Sequence, residues 1–197
     1  MTTPTLSFRA FLTLTFIAIV LTAGSIQPAT AKSYDDEETA ALLKVLGNSK
    51  VTLAQGVRQA AKNGEAPISA KFELDDNKKL SLSVYTAEKG LATDPEHNVL
   101  KELSGSPEQA PWAPEVEVFK DIPHVSRASG HLTLMAVTKH SLASLIDLVQ
   151  KKNKGTVFSA IPAVEHGHGV LIVLVADKNQ VKEIRVHLRD GKIQGTK

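Results

Sequence analysis

The residues of this chain that could do chemistry are seven histidines and a scatter of Ser, Asp and Glu, with no cysteine. His166-Gly-His168 is the tightest pair. Residues i and i+2 of a strand point the same way, so two imidazoles there could hold a divalent metal if a third ligand joined them. Glu165 would face the opposite side unless the turn bends, and a polar hairpin tip flanked by glycines is the plainer reading. His97, His124, His131, His140 and His187 are dispersed, with no His-Glu-x-x-His spacing. No Gly-x-Ser-x-Gly elbow exposes a nucleophile. Asp35-Asp36-Glu37-Glu38 lacks the spaced oxygens and the glycine of a calcium loop. The lack of cysteine removes disulfides, thiolate zinc sites and cysteine nucleophiles together. The expectation is a protein that is not an enzyme and carries no cofactor.

Binding residues are the other possibility, and they gather in one stretch. Between Glu88 and Pro114 the apolar periodicity fails, and Gly90, Pro95, Gly105, Pro107, Pro111 and Pro114 accumulate around the single tryptophan, Trp112. Loops of this length in a compact domain tend to be functional. Trp112 sits between prolines, where it can anchor the loop on the sheet or be presented to a partner. Trp112, His97 and Leu103 are the candidate partner contacts. A short helix from Pro95 to Leu103, capped by Asp94, fits the middle of the segment.

The elements that must position these residues repeat. Thr52-Leu-Ala-Gln opens an amphipathic stretch with a capping-box pattern, Leu53, Val57, Ala60 and Ala61 sharing a face. Ile68, Ala70, Phe72 and Leu74 then alternate, Asp75-Asp-Asn-Lys turns the chain, and Leu80, Leu82 and Val84 return. The same order recurs 89 residues on from Ser141, with Leu142, Leu145, Ile146 and Val149 on the helix. Val157 to Ala163 alternates, and Val170 to Ala176 is apolar throughout, as in a strand buried on both sides. Ile184, Val186 and Leu188 alternate last, and Asp190-Gly191 ends the strand. Glu38 to Leu46 predicts a short leading helix, Val116 and Val118 a strand, and His131 to Val137 a further strand, although a helix start is possible there. The fold class is therefore α+β: two repeats of a helix packed on an antiparallel β-sheet, either as two lobes or fused into one longer sheet.

Residues 1–31 read as a cleaved export signal. Arg9 is their only side-chain charge, Phe11 to Ala23 is apolar apart from threonines, and Ala29-Thr-Ala31 offers a small-x-small cleavage site. The apolar run is 13 residues, short of the ~20 of a spanning helix. No cysteine follows it, so a lipid anchor is not expected. Removing 31 of 197 residues leaves 166, with 22 basic against 21 acidic side chains. That balance gives no electrostatic footprint for nucleic acid. The expected product is periplasmic or secreted, without stable membrane insertion. Its expected organisation is an acidic segment with a short helix (32–48), a first repeat (49–121) carrying the 88–114 insertion, and a second repeat (122–197).

The doubled pattern resembles the PepSY family of small exported α+β domains. The second repeat carries the resemblance in Ser141-Leu142, Ile146, Val157, the run Val170 to Val175, and Asp190-Gly-Lys-Ile193. The first carries it in Thr52-Leu53, Val57, Ile68 and Leu80 to Val84, with its third strand displaced by the insertion. The resemblance implies a non-catalytic binding protein whose partner is a protein, with a peptidase of the cell envelope as the expected class. No peptidase follows the tandem in this sequence, so the expected action is in trans. An exposed sheet edge or the 88–114 loop would fill a partner's cleft. The alternative is a carrier of a small ligand or metal, using a concavity between the lobes and the pair His166 and His168.

Overall fold

The computed structural model describes residues 37–178 and 180–196. The export signal expected over 1–31 and the acidic residues up to Asp36 lie outside them.

Helix α1 (Glu37–Val45) runs into a single 3-10 turn, Leu46–Asn48. Helix α2 (Leu53–Ala60) then starts at the capping box that its sequence predicts. Thr52 accepts from the Gln55 N–H, and the Gln55 side chain accepts from the Thr52 N–H at 2.8 Å. Four strands follow: β1 (Ala66–Leu74), β2 (Leu80–Ala87), β3 (Leu100–Gly105) and β4 (Glu115–Val118). Helix α3 (Ile122–Ala136) crosses to the second half. There α4 (Leu142–Lys152), capped by Ser141, leads into β5 (Thr156–Glu165), β6 (His168–Asp177), β7 (Gln180–His187) and β8 (Ile193–Thr196).

The eight strands make one antiparallel sheet in the order β4-β3-β2-β1-β5-β6-β7-β8. The two halves of the described chain therefore share a sheet, joined at the β1–β5 seam, where Ala70 faces Ala160. On each side of that seam a helix, α2 or α4, leads into a four-strand meander. Arg58 on α2 and Asp147 on α4 meet across it at 2.8 Å, and they are 89 residues apart, the repeat length. Both side chains are 53 % exposed, so the pair stabilises by only about 0.5 kcal/mol.

Burial explains the layering. Ile68, Ala70 and Phe72 of β1, Leu82 and Val84 of β2, and Leu171, Val173 and Val175 of β6 fill the face covered by α2 and α4. Gly56 of α2 is required by that contact, since a Cβ there would collide with the Leu82 side chain. β6 is buried on both faces, Val170 and Leu174 included, but it lies two strands from the central seam.

Three elements differ from the sequence expectation. Residues 131–136 are helical, not a strand, and Val137 caps the helix. Asp121 caps α3 by accepting from the His124 N–H, and Pro123 sits in its first turn. The buried Ala128, Leu132 and Met135 follow helical spacing, so the alternation of His131 to Val137 is a coincidence of period. Residues 95–103 are not a helix. Asp94 does accept from the His97 N–H at 3.1 Å, making the first turn, but the chain then extends into β3. Strand β3 escapes a hydrophobicity reading because a lysine occupies a core-facing position. Lys101 lies opposite Thr86, with its ammonium 2.8 Å from both Glu65 and Glu88. Desolvation alone would lower its pKa, but the two carboxylates outweigh it and the pKa is raised.

Candidate functional site

The face of β1 and β2 that turns away from α2 is polar: Ser69 and Lys71 on one strand, Ser83 and Tyr85 on the next. In a hairpin with one buried face, such residues ordinarily meet water. Here α3 lies over them and encloses a cleft of about 340 Å³. Arg127 and His131 project from α3 into it, and Ile161 of β5 closes it from the second half. The cleft thus sits beside the seam where the two repeats join.

His131 is held by geometry and burial. Its Nδ1 is 3.0 Å from the Ser69 hydroxyl, and its ring centroid is 6.2 Å from that of Tyr85. Burial, with a smaller contribution from the Arg127 charge, lowers its pKa from 6.5 to about 4. The imidazole is neutral at physiological pH. Burial, then the Glu102 charge, raises the pKa of Tyr85, against the opposing effects of Lys71 and Arg127, the latter also through a side-chain hydrogen bond. Tyr85 stacks edge-on against Phe119 at 4.7 Å, and Phe119 lies flat on His124 at 5.3 Å. Ser83 donates to Glu102, and Lys71 pairs with Glu73. Among the described residues no carboxylate pairs with Arg127, the one cation at the cleft so placed.

None of the cleft residues was legible as a site from sequence. They come from four elements, and His131 reads as a strand residue until Asp121 and Pro123 are recognised as a helix start. The signal available was the unusual content of the outward face of β1 and β2, where serine, tyrosine and lysine stand in place of the usual mixed charges.

The candidates that the sequence did single out are placed elsewhere. Trp112 is 2 % exposed. Its indole N–H donates to the Gly105 carbonyl at 3.2 Å, and the Gln59 amide donates to the Trp112 carbonyl. It anchors the β3–β4 loop against β3 and α2, with its side chain buried. Leu103 packs partly buried against the core. His97 is exposed, but its Nδ1 is 2.9 Å from the Asp94 carboxylate. The three do not form one surface patch.

His166 and His168 are not an i, i+2 pair on a strand. Glu165 pairs with His168, so His166 and Gly167 are the two residues of the hairpin turn, with φ of 49° and 78°. Positive φ at both central residues is the type I′ hairpin geometry. The ring of His168 lies 5.9 Å from that of His187, whose Nδ1 is in turn 3.1 Å from Asp190. Glu165 is engaged by Arg185 at 2.6 Å. Among the described residues no three His, Asp or Glu side chains converge as a metal site. The carrier reading therefore loses the histidine pair as its ligand set.

The outer edge of the sheet is the second feature with binding geometry. Strand β4 pairs with β3 in unbroken register from Ser104–Glu115 to Lys101–Val118, and no described strand covers its other side. All four of its residues are exposed, Val116 at 59 % and Val118 at 43 %. Ile122 and Val125, a few residues on, are exposed too. The opposite edge is different: β8 pairs with β7 through a register shift and contains Gly195.

No family model and no curated protein matches the chain. A solved crystal structure from Clostridium difficile 630, described as a "putative lipoprotein", is similar over 76 % of this chain and 93 % of that one. The identity is 11 % and the TM-score 0.38, a likeness too distant to bear on function. No described helix is long and apolar enough to cross a membrane.

Proposed function

We propose that this protein is an exported, non-catalytic binding module, similar to tandem PepSY domains, that grips a polypeptide partner by adding a strand to β4. The observation that carries this reading is the contrast between the two sheet edges. Native sheets blunt their edges with bulges, short strands or inward charges, because an open edge is a template for pairing. β8 is blunted by its register shift, whereas β4 is regular and exposes two valines. Backbone hydrogen bonds to β4 would supply affinity, and its side chains would supply selectivity. Val116 and Val118 point one way and Glu115 and Glu117 the other, so the complementary segment alternates apolar with basic residues. An envelope peptidase acted on in trans is the partner class that the PepSY resemblance favours.

The test is site-specific photocrosslinking in the native envelope, with the photoreactive residue at Val116 or, as a control, at the exposed Lys62 beyond α2. A protein adduct specific to position 116, lost on Val116→Lys with Val118→Lys, is the expected outcome. Thermal unfolding of that double variant should stay within a few degrees, since both side chains already face water. Identical adducts from both positions, or adducts that survive the two lysines, would remove the edge from the reading. A specific adduct that is not a peptidase would leave the edge and remove the peptidase.

A further inference from the structure

We infer that the cleft between α3 and the β1–β5 seam is a binding site for a small monocarboxylate with an apolar body. Its carboxylate would be held at the Arg127 guanidinium and its body laid between Ile161 and the Tyr85 ring. This site is separate from the β4 edge and does not depend on a polypeptide partner.

Four observations converge on that chemistry. The volume, about 340 Å³, lies at the lower end of small-ligand pockets and holds roughly eleven water volumes of about 30 Å³ each. Ligand sites combine carbon walls with a few fixed polar groups. Here the carbon comes from Ile161 and the Tyr85 ring, and the polar groups are Ser69, Ser83 and His131. Arg127 presents a planar fork that matches a carboxylate, and no described carboxylate takes it. Charge then limits the ligand. Lys71 is already paired with Glu73, and Glu102 lies close enough to act on Tyr85. A monoanion meets one cation that is hydrogen-bonded to Tyr85 but has no carboxylate partner among the described residues, whereas a dianion would also face those two acids. The neutral imidazole of His131, hydrogen-bonded to Ser69, adds a dipole without adding charge.

The cleft takes Ser69, Lys71, Ser83 and Tyr85 from the first half and Ile161 from the second, and α3, which belongs to neither meander, roofs it. α3 packs on β1, β2, β3 and β5 and so covers the cleft beside β2.

The probe is 3-phenylpropionate, read by chemical-shift perturbation in two-dimensional amide NMR. Its controls are the neutral 3-phenylpropanamide and inorganic phosphate. The expected result is saturable binding with a dissociation constant of roughly 1 mM. Shifts should concentrate at 69–71, 83–85, 127–131 and 161. Arg127→Gln, on an exposed helix position, should weaken 3-phenylpropionate roughly three- to tenfold and leave 3-phenylpropanamide unchanged. Ile161→Ala should weaken both. The inference is overturned if 3-phenylpropionate shifts no amides at 10-fold that concentration, or shifts them elsewhere. It is equally overturned if phosphate binds as tightly, or if Arg127→Gln, folded by its spectrum, binds like the wild type.

Discussion

Lowering the pH from 7 to 5 should cost this fold about 2 kcal/mol through one side chain, His131. The ring is 9 % exposed, and burial, followed by the Arg127 charge, holds its pKa at about 4 against 6.5 for a free imidazole. A depressed histidine pKa means that the folded state resists the proton that the unfolded chain accepts. Between pH 6.5 and 4 the unfolded state therefore carries more protons, and stability falls as the solution is acidified. At pH 5 the unfolded imidazole is roughly 97 % protonated and the folded one roughly 10 %, which gives about 2 kcal/mol; at pH 7 the same calculation gives about 0.2 kcal/mol. The assay is urea unfolding at pH 7, 6 and 5 for the wild type and His131→Gln, whose amide can still meet Ser69. Asp94, Asp121, Asp177, Asp190 and Glu88 have lowered pKa values and lose their contribution on further acidification in both proteins. Lys71, Arg127 and Tyr85, which line the same cleft, and Glu102, which acts on Tyr85, are also common to both. The variant should lose about 2 kcal/mol less than the wild type between pH 7 and 5. Equal losses, within about 0.5 kcal/mol, would refute the burial argument.

Two further perturbations test the packing. Gly155 sits at φ +108°, where a Cβ would be 2.9 Å from the Ala176 carbonyl carbon and closer still to its oxygen. Gly155→Ala should destabilise by roughly 3 kcal/mol, whereas Gly130→Ala, in open space on α3, should stabilise by up to about 1 kcal/mol; denaturant midpoints decide both. Trp112→Ala should cost roughly 3–5 kcal/mol, and the single tryptophan should emit at short wavelength and resist aqueous quenchers in the native state. A quencher-accessible tryptophan would contradict its placement beneath the loop.

The parts of this fold that were readable from sequence are those whose cause is local. The capping box Thr52–Gln55 and the Ser141 cap act within four residues, and both helices start where these predict. The Asp75 turn is similarly local, its carboxylate accepting from the Asn77 and Lys79 N–H groups. β3 failed for the opposite reason. Lys101 faces inward because Glu65 and Glu88, 36 and 13 residues away, neutralise it there. An apolar-alternation test has no access to those partners. His166 lies in the hairpin turn and not on the strand, as the plainer reading of a polar hairpin tip has it.

The sequence by itself determined an α+β protein with an apolar core. Periodicity and capping are written in neighbouring residues. Only the tertiary structure decided that the two halves share one sheet through β1 and β5, since antiparallel pairing at a seam depends on two segments some 90 residues apart. It also decided which polar face became a cleft. Ser69, Ser83 and Tyr85 would face water in an isolated hairpin, and they line a cavity because α3 folds across them. Likewise β4 became an open edge through strand order alone, a property of the whole sheet that no residue of Glu115–Val118 encodes.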